Sequence, residues 1–490
     1  MRFIFLVWSV AAAAAVQPFT IRAIDEESGR GIPLVELKTV NHIRYYTDSS
    51  GVAAIDDAAL MDRSVYLSIA SHGYEFPADG FRFRGRTFAM KAGGAAEIRL
   101  KRINIAERLY RITGEGIYRD SVLSGMKAPI AQPLLNAMVT GQDSVMVAPY
   151  QGKLFWFWGD TDLLQRKLGI FAVTGATSDL KQPPDFNYFT DKNGIARTVC
   201  DLPGKGVKWI GGLFTVKDES GRERLISHVE RRDGLKDMFE QGLVIWNDSK
   251  ENFEWLRKFD LDERMHPRGQ TLRVGDMFYF SLPNPNGFPN ARVKATLDDV
   301  SNPRHYEGFS CLEPKGRLNG RQTKLDRDAS GKLQCGWKLD TEPWNAQVEK
   351  RLIDAGLLTE SEALYRVHDV KTGNPVVLHA GSAQWNEFRK RYILIATEIG
   401  GTSHLGEIWY SEAPAPEGPW TRAVKVVTHN DYSFYNPAIH PFYSEEGGRV
   451  IYFEGTYTDF VTKNPRPTPR YNYNQIMYRL RLDDARLSGL

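Results

Sequence analysis

Short apolar strands alternate with tight turns along almost the whole of this 490-residue chain. Beyond residue 101, five regions repeat the order strand, turn, strand and polar loop: 143–160, 208–248, 270–281, 382–420 and 436–482. Strands at such spacing are typical of all-β proteins, and a repeated unit favours similar sheets that follow one another. We therefore expect an all-β fold with a five-bladed β-propeller over residues 101–490. A six-bladed propeller and a β-sandwich are the alternatives.

Residues 18–100 carry a separate series of shorter strands. Phe19–Ile24 alternates apolar and polar residues, an acidic turn with glycines follows at 25–31, and another turn lies at Asp48–Gly51. This pattern predicts an Ig-like or transthyretin-like β-sandwich ahead of the larger domain. The order of these turns around the Ile32–Val35 strand resembles the carboxypeptidase-regulatory-like domain of secreted bacterial proteins. That resemblance implies an accessory module or spacer without an active site.

A polar segment rich in glycine and charge interrupts the repeated pattern at about 302–370. We interpret it as an insertion with short helices at 348–355 and 361–366, and we expect it to fold over one mouth of the main domain. Two of the three cysteines, Cys311 and Cys335, lie in it and could form a disulfide or stay free. Three cysteines are too few for a disulfide framework or a four-cysteine zinc site.

The N-terminus predicts export. Arg2 is followed by an apolar run from Phe3 to Val16 that ends in alanines, which is the pattern of a cleaved secretory signal peptide over residues 1–16. This run is shorter than the roughly 20 residues that span a bilayer; a buried first strand is the alternative reading. We expect a secreted or periplasmic monomer with no integral membrane segment after cleavage. The net charge of +3 also argues against a nucleic-acid partner.

The first strand pair of the larger domain carries two aspartates that should face each other. A two-residue turn at Gln151-Gly152 pairs Tyr150 with Lys153, and the same register pairs Asp143 with Asp160. Directly opposed side chains have Cβ atoms roughly 4.5–5.5 Å apart. Two carboxyl groups at that distance separate their pKa values, so that one is protonated and the other ionised.

Such a pair is what glycoside cleavage needs: one acid for the leaving oxygen, and one nucleophile or base for the anomeric carbon. The alternative is structural. Asp160 in a Gly-Asp-Thr turn could accept backbone N–H bonds, and Asp143 could cap the strand or bind a cation together with Gln142.

The residues around this pair resemble a known family. Gln142-Asp143-Ser144-Val145, the aromatic strand and Trp158-Gly159-Asp160-Thr161 resemble the opening blade of five-bladed propeller glycosidases, in particular the group with endo-acting D-arabinan hydrolases. Residues 406–420, which end in Gly-Pro-Trp, are similar to a blade of arabinanases and β-xylosidases. The resemblance implies Asp143 and Asp160 as the acid and the nucleophile or base.

Further candidates lie at strand ends and in polar loops. Glu398 and Glu454 each end an apolar strand before glycine and could act as a third acid or bind sugar hydroxyls; a structural role is the alternative for both. The remaining substrate-binding candidates are Gln142, Trp158, Asp162, His228, His266, Arg389, Arg391, Asn436, His440 and Tyr457. Buried hydrogen-bonded histidines, packed tryptophans and a solvated arginine turn are the alternatives for these residues.

Taken together, the residues predict a secreted glycoside hydrolase that acts on an arabinan-type or related polysaccharide. Two other functions stay open: a glycan-binding propeller without catalysis, and a polysaccharide lyase that uses His440 with Arg470 or Tyr471. No metal-binding spacing is present. A structural calcium or sodium ion on the propeller axis is the one cofactor that the fold suggests.

Overall fold

The computed structural model describes residues 17–283, 286–460, 462 and 466–490. The predicted signal peptide at 1–16 lies outside the described residues. The regular secondary structure of the described chain is almost entirely β-strand, with two sheets before residue 103 and five after it. The predicted all-β class is therefore confirmed.

The N-terminal part consists of two four-stranded sheets with the orders β4–β1–β8–β6 and β3–β2–β5–β7. Their strands are β1 (Phe19–Asp25), β2 (Glu36–Thr39), β3 (Arg44–Tyr46), β4 (Val52–Ile55), β5 (Arg63–Ala70), β6 (Tyr74–Glu75), β7 (Gly85–Met90) and β8 (Ala95–Arg102). Alternate residues of these strands, such as Ile21, Leu67 and Leu100, are fully buried and share one core. Apolar residues from both sheets meet in that core, as in a sandwich.

Five sheets follow, here called sheets 1 to 5, and in each one strands next to each other in sequence are mostly also neighbours in space. Sheet 1 contains β10 (Val139–Tyr150), β11 (Lys153–Leu163), β12 (Arg166–Ile170), β13 (Thr174–Ser178) and β14 (Asn187–Tyr188). Sheet 2 contains β15 (Val207–Lys217), β16 (Glu223–Arg232), β17 (Met238–Asn247) and β18 (Asn252–Phe259). Sheet 3 contains β19 (Leu272–Val274), β20 (Met277–Phe280), β21 (Ala291–Lys294), β22 (Glu307–Ser310) and β23 (Gly336–Leu339).

Sheet 4 contains β24 (His368–Asp369), β25 (Leu378–Asn386), β26 (Arg391–Glu398), β27 (Ile408–Ala413) and β28 (Arg422–Val427). Sheet 5 contains β29 (Ser433–Ile439), β30 (Val450–Thr458), β31 (Asn474–Arg481) and β9 (Glu107–Arg111). Because β9 comes directly after the sandwich and pairs with β31, the start of the larger domain completes its last sheet.

The five sheets form a ring with β10, β15, β19, β25 and β29 innermost. β10 contacts β15 on one side and β29 on the other, β25 contacts both β19 and β29, and the Gly212 N–H donates to the Gly269 carbonyl between sheets 2 and 3. This is the arrangement of a β-propeller. The alternating aromatics of β11 show how the sheets pack: Trp156 and Trp158 join the core between sheets 1 and 5, and Phe157 joins the core between sheets 1 and 2.

We expect from the sequence that the segment 302–370 folds over one mouth of the larger domain, and the structure shows that this prediction is wrong. The β22 and β23 strands of this segment complete the outer part of sheet 3, and helix Ala346–Asp354 packs through Val348 and Leu352 into the core between sheets 3 and 4. The apolar face of that helix gains more by burial between sheets than by exposure over a polar opening. Cys311 and Cys335 form a disulfide within this segment.

In the part of the chain that the structure describes, the remaining helical pieces are short. The α-helices besides Ala346–Asp354 are Arg119–Leu123 and Leu297–Val300, and the 3₁₀ turns are Pro303–His305, Gly320–Gln322, Glu360–Glu362, Pro441–Tyr443, Glu446–Gly448 and Ala485–Leu487. The second helix predicted in the insertion is only the Glu360–Glu362 turn. Among the described residues, no helix has the length and apolar character that a membrane crossing requires.

The sandwich is attached to sheet 5 by buried polar contacts. The Arg108 guanidinium donates from Nε to the Pro33 carbonyl at 3.0 Å. The Tyr471 hydroxyl donates to the Thr47 carbonyl at 2.6 Å and accepts from the Leu34 N–H at 3.1 Å. Buried hydrogen bonds of this kind fix the orientation of the two parts because breaking them leaves polar groups unsatisfied.

Candidate active site

Asp143 and Asp160 face each other across the β10–β11 hairpin. The observed register pairs Asp143 with Asp160 and Tyr150 with Lys153, as the sequence predicted. The turn residues Gln151 and Gly152 have φ values of 49° and 77°, which is the left-handed conformation that a tight two-residue hairpin turn needs. The local turn therefore fixes the relative position of the two carboxyl groups.

Asp143 is surrounded by hydroxyl donors. Its Oδ1 accepts from the Ser144 hydroxyl and from Thr456 Oγ1 at 3.2 Å, and its Oδ2 accepts from the Tyr473 hydroxyl at 3.1 Å. Tyr435 donates to the same carboxyl group. Burial raises the pKa of Asp143 above its usual value, and these hydrogen bonds reduce that rise without cancelling it because the donors stabilise the ionised form.

Asp160 has fewer hydrogen-bond donors than Asp143. Its Oδ1 accepts from Trp209 Nε1 at 3.1 Å, and its Oδ2 lies 3.5 Å from the Tyr473 hydroxyl. Burial, together with the negative charge of Asp143, raises the pKa of Asp160 to about 7. The Asp160 side chain is therefore suited to hold a proton near neutrality, while Asp143 is the better stabilised carboxylate.

The two carboxyl groups line a cleft of about 560 Å³ that is enclosed by the inner strands and the segment before β19. The cleft is lined by residues from all five sheets or the segments that join them, among them Trp209, Arg268, Asn286, Gly381 and Asn436. A cleft of this size can take a few sugar units.

The backbone is strained beside the carboxyl pair. Ser144 and Asn436 have φ values of 57° and 50°, and the Asn436 side-chain amide donates to the Ser144 hydroxyl at 2.7 Å. Left-handed φ values at non-glycine residues carry a conformational cost and often occur at functional sites. The structure thus brings Asn436, one of the predicted substrate-binding residues, to the cleft.

Three charged residues of the cleft escaped the sequence analysis: Glu230, Arg232 and Arg268. Glu230 and Arg232 could have been found from the sequence, because they alternate with His228 along β16 and so share one face of that strand. Arg268, in contrast, comes from the loop before β19 and carries no local pattern. Tyr435, Tyr473 and Trp209 were missed as carboxyl partners for the same reason.

His228 lines the cleft and stacks on His266, with ring centroids 3.9 Å apart. Both rings are buried, and burial lowers their pKa values, that of His266 to about 4. His228 Nε2 lies 3.2 Å from Gln241 Oε1, and His266 Nδ1 lies 3.1 Å from the Pro267 carbonyl. These contacts make the pair a neutral wall of the cleft, with only His228 at its surface.

Glu454 and His440 do not lie in the cleft. Both are buried in the core beside Trp156, and His440 Nε2 lies 2.8 Å from Glu454 Oε1. Sequence position at a strand end was misleading, because the side chain of Glu454 turns into the interface between sheets 5 and 1. The lyase arrangement is not formed either, since Arg470 instead pairs with Glu115 beside the sandwich and Tyr471 is buried there.

Glu398, Arg389 and Arg391 are also outside the cleft. Glu398 accepts from Trp409 Nε1 at 2.8 Å, and burial raises its pKa. Arg389 pairs with Glu412 at 2.6 Å at the far end of the β25–β26 hairpin, where Arg391 is exposed. The cleft meets β25 at its opposite end, near Gly381.

The last four candidates have structural contacts. Gln142 is fully buried and bonds Thr161, Thr174 and Tyr188; Trp158 is fully buried in the core. Asp162 accepts from the Leu168 N–H and shapes the β11–β12 turn. Tyr457 is buried against the sandwich, where its hydroxyl contacts Thr468 and His72. None of these four residues is among the described residues that line the cleft.

Metal ligands do not cluster in the described part of the chain: no three His, Cys, Asp or Glu side chains come together there. The suggested axial cation therefore stays a prediction.

Comparison with known proteins gives structural neighbours of low similarity. No protein-family model matches the chain, and no curated protein sequence matches it. Among solved structures, an arabinanase from Bacillus subtilis is 8% identical over 69% of this chain and 93% of its own, with a TM-score of 0.30. An endo-arabinanase from Bacillus licheniformis is 8% identical over the same shares, with a TM-score of 0.32. An exo-β-1,3-galactanase from Phanerochaete chrysosporium is 9% identical over 69% of this chain and 60% of its own, with a TM-score of 0.36.

Proposed function

We propose that this protein is a glycoside hydrolase that cleaves a polysaccharide with Asp143 and Asp160. The observation that carries the proposal is the opposed carboxyl pair in a cleft, with unequal hydrogen bonding of its two members. A structural explanation is weak, since like charges directly opposed in a sheet destabilise it. Neither aspartate accepts a backbone N–H bond among the described residues, so neither serves as a turn cap.

Asp160 has the properties of the general acid. Its pKa of about 7 leaves a large protonated fraction near neutral pH, and Trp209 orients its Oδ1. The protonated carboxyl group would donate to the glycosidic oxygen as the bond breaks. Asp143, held as a carboxylate by its hydroxyl donors, would act on the anomeric carbon.

The spacing of the pair favours retention of anomeric configuration. The directly opposed register puts the two Cβ atoms roughly 4.5–5.5 Å apart, and one oxygen of each carboxyl group contacts the same Tyr473 hydroxyl, at 3.1 and 3.5 Å. Retaining enzymes place their carboxyl groups roughly 5–5.5 Å apart, and inverting enzymes about 6.5–9.5 Å to admit a water. We therefore assign Asp143 as the nucleophile that forms a glycosyl-enzyme intermediate, which water then hydrolyses.

The finer assignments belong to the same proposal. The sequence resemblance to D-arabinan hydrolases supports an arabinan-type or related glycan, and we take the five sheets as five propeller blades. The Cys311–Cys335 disulfide and the N-terminal apolar run support a secreted or periplasmic location, since disulfides persist in oxidising compartments.

The test is release of reducing ends from a panel of purified polysaccharides, including arabinans. Asp143→Asn and Asp160→Asn should each lower the rate by at least a thousandfold while glycan binding is retained. Asp248→Asn is the matched control, because Asp248 lies outside the cleft at the turn end of the hairpin, where it accepts from the Tyr150 hydroxyl at 3.1 Å. Full activity in either cleft variant would refute the proposal.

The other two functions predict different results. A glycan-binding propeller would bind the panel without turnover by the unmodified protein. A lyase would release unsaturated products that absorb in the ultraviolet. A retaining hydrolase has its own signature: Asp143→Gly should regain activity with added azide and release a glycosyl azide of inverted configuration.

A further inference from the structure

The cleft contains a second group of charged residues beside the carboxyl pair. Arg268 pairs through Nη1 with Glu230 Oε1, and Arg232 Nη1 donates to Glu230 Oε2 at 3.0 Å. One carboxylate is thus shared by two guanidinium groups. All three side chains line the cleft that holds Asp143 and Asp160.

Two guanidinium groups and one carboxylate leave this group with a net charge of one positive unit. The nearby His228 does not change that balance, since burial lowers its pKa and keeps it neutral. Arg232 Nη2 is held by the Lys236 carbonyl at 2.6 Å, whereas the described residues give Arg268 no partner besides Glu230. The remaining N–H groups of Arg268 are therefore available to the cleft, where a quarter of its side chain is exposed.

The surroundings of Arg268 favour an anionic partner. Its side chain is mostly buried, and that burial lowers its pKa to about 10, which shows that the charge is poorly solvated. The planar guanidinium group presents two N–H donors that match the two oxygens of a carboxylate or phosphate. Its hydrogen bonds to such an anion are shorter and stronger than its hydrogen bonds to a neutral sugar hydroxyl. Partial removal of water strengthens such a bond further.

We propose that Arg268 and Arg232 form a subsite for an anionic substituent of the glycan, so that the substrate class is an acidic polysaccharide. This inference rests on the proposed glycosidase function and deepens it. A uronate carboxylate and a phosphate ester share the required chemistry, and the experiment below distinguishes them.

Binding is measured with the full-length Asp160→Asn variant, so that substrate is not consumed and the result does not depend on turnover. The probes are gum arabic, which is an arabinogalactan with glucuronate residues, the same polymer after reduction of its carboxyl groups, and a phosphomannan. We expect at least tenfold tighter binding of gum arabic than of its reduced form, with an affinity that falls as salt increases. Tighter binding of the phosphomannan would assign the subsite to phosphate.

Arg268→Gln in the same background should lower the ratio of the two gum arabic affinities by about tenfold or more, the usual range for loss of a charge-assisted hydrogen bond. Arg268→Lys should restore part of that ratio, since it keeps the charge without the two matched N–H donors. Arg231→Gln is the matched control. Arg231 lies between Glu230 and Arg232 on β16, but its side chain faces away from the cleft and pairs with Glu240 at 2.6 Å. Its ratio should equal that of the background variant.

Two results would overturn the subsite. One is equal affinity for native, reduced and phosphorylated polymers, and the other is an unchanged ratio in Arg268→Gln when circular dichroism shows a folded protein. Failure of the hydrolase proposal is separate, because it would appear as activity in Asp143→Asn or Asp160→Asn whatever the charge preference.

Discussion

Replacement of Tyr473 by phenylalanine should shift the pH dependence of catalysis to higher pH. The Tyr473 hydroxyl donates to Asp143 Oδ2 at 3.1 Å and lies 3.5 Å from Asp160 Oδ2. Burial, together with the negative charge of both aspartates, raises the pKa of this tyrosine, so the hydroxyl stays a donor over the working range. Tyr473→Phe removes that donor and keeps the ring.

The sign and size follow from the hydrogen bond. A donor stabilises the ionised carboxylate and lowers its pKa, so its removal raises the pKa of Asp143. A hydrogen bond to a charged group contributes about 1.5–3 kcal/mol, and one pKa unit corresponds to about 1.4 kcal/mol. We expect the acid limb of kcat/KM to move up by about one to two units, which is about a ten- to hundredfold loss of rate at low pH. The alkaline limb, set by Asp160 near pH 7, should move less because its contact is longer.

The assay is kcat/KM across pH on whichever polysaccharide the panel identifies. Tyr452→Phe is the control, since its hydroxyl bonds Glu445 at 2.9 Å outside the cleft and its profile should match that of the unmodified protein. A uniform loss of rate in Tyr473→Phe, with both limbs unmoved, would refute the idea that Tyr473 controls the protonation of the pair.

Three further changes test the site and the fold. Asp160→Asn should raise the melting temperature above that of the unmodified protein at pH 7–8 but not below about pH 4. A carboxyl group whose pKa is raised to about 7 in the folded state destabilises the protein as pH rises from the unfolded-state pKa to the folded-state pKa, and the amide removes that effect. Equal melting curves at all pH values would contradict the raised pKa. Glu454→Ala should destabilise the fold by about 1–3 kcal/mol in urea unfolding, since it leaves the buried His440 ring without its hydrogen-bond partner. A shifted pH–rate profile with normal stability would instead assign Glu454 a catalytic role. Cys335→Ser should cost about 2–4 kcal/mol by freeing the loop that the disulfide closes, and an unchanged denaturant midpoint would show that the bond is absent in solution.

The opposed aspartates could be found from the chain alone because every determinant is local. Two strands, one short turn and a period of two residues place Asp143 against Asp160, and no distant contact is needed to fix that register. The same local rules predicted an all-β protein with a small sandwich ahead of a larger ring of sheets, since turn residues and strand alternation recur along the sequence.

Ring closure decided which other residues share the cleft. Trp209 and Tyr473, which bond the carboxyl pair, and Arg268, which lines the cleft, come from segments far apart in the chain. The packing of neighbouring sheets brings them together, and for Tyr473 the pairing of β9 with β31 places sheet 5 beside sheet 1. Strand ends such as Glu454 looked equivalent to true cleft positions, because alternation shows that a side chain faces one side of a sheet without showing whether water, a cleft or another sheet lies there. That difference depends on how neighbouring sheets pack, which is a property of long-range contacts and of no single stretch of sequence.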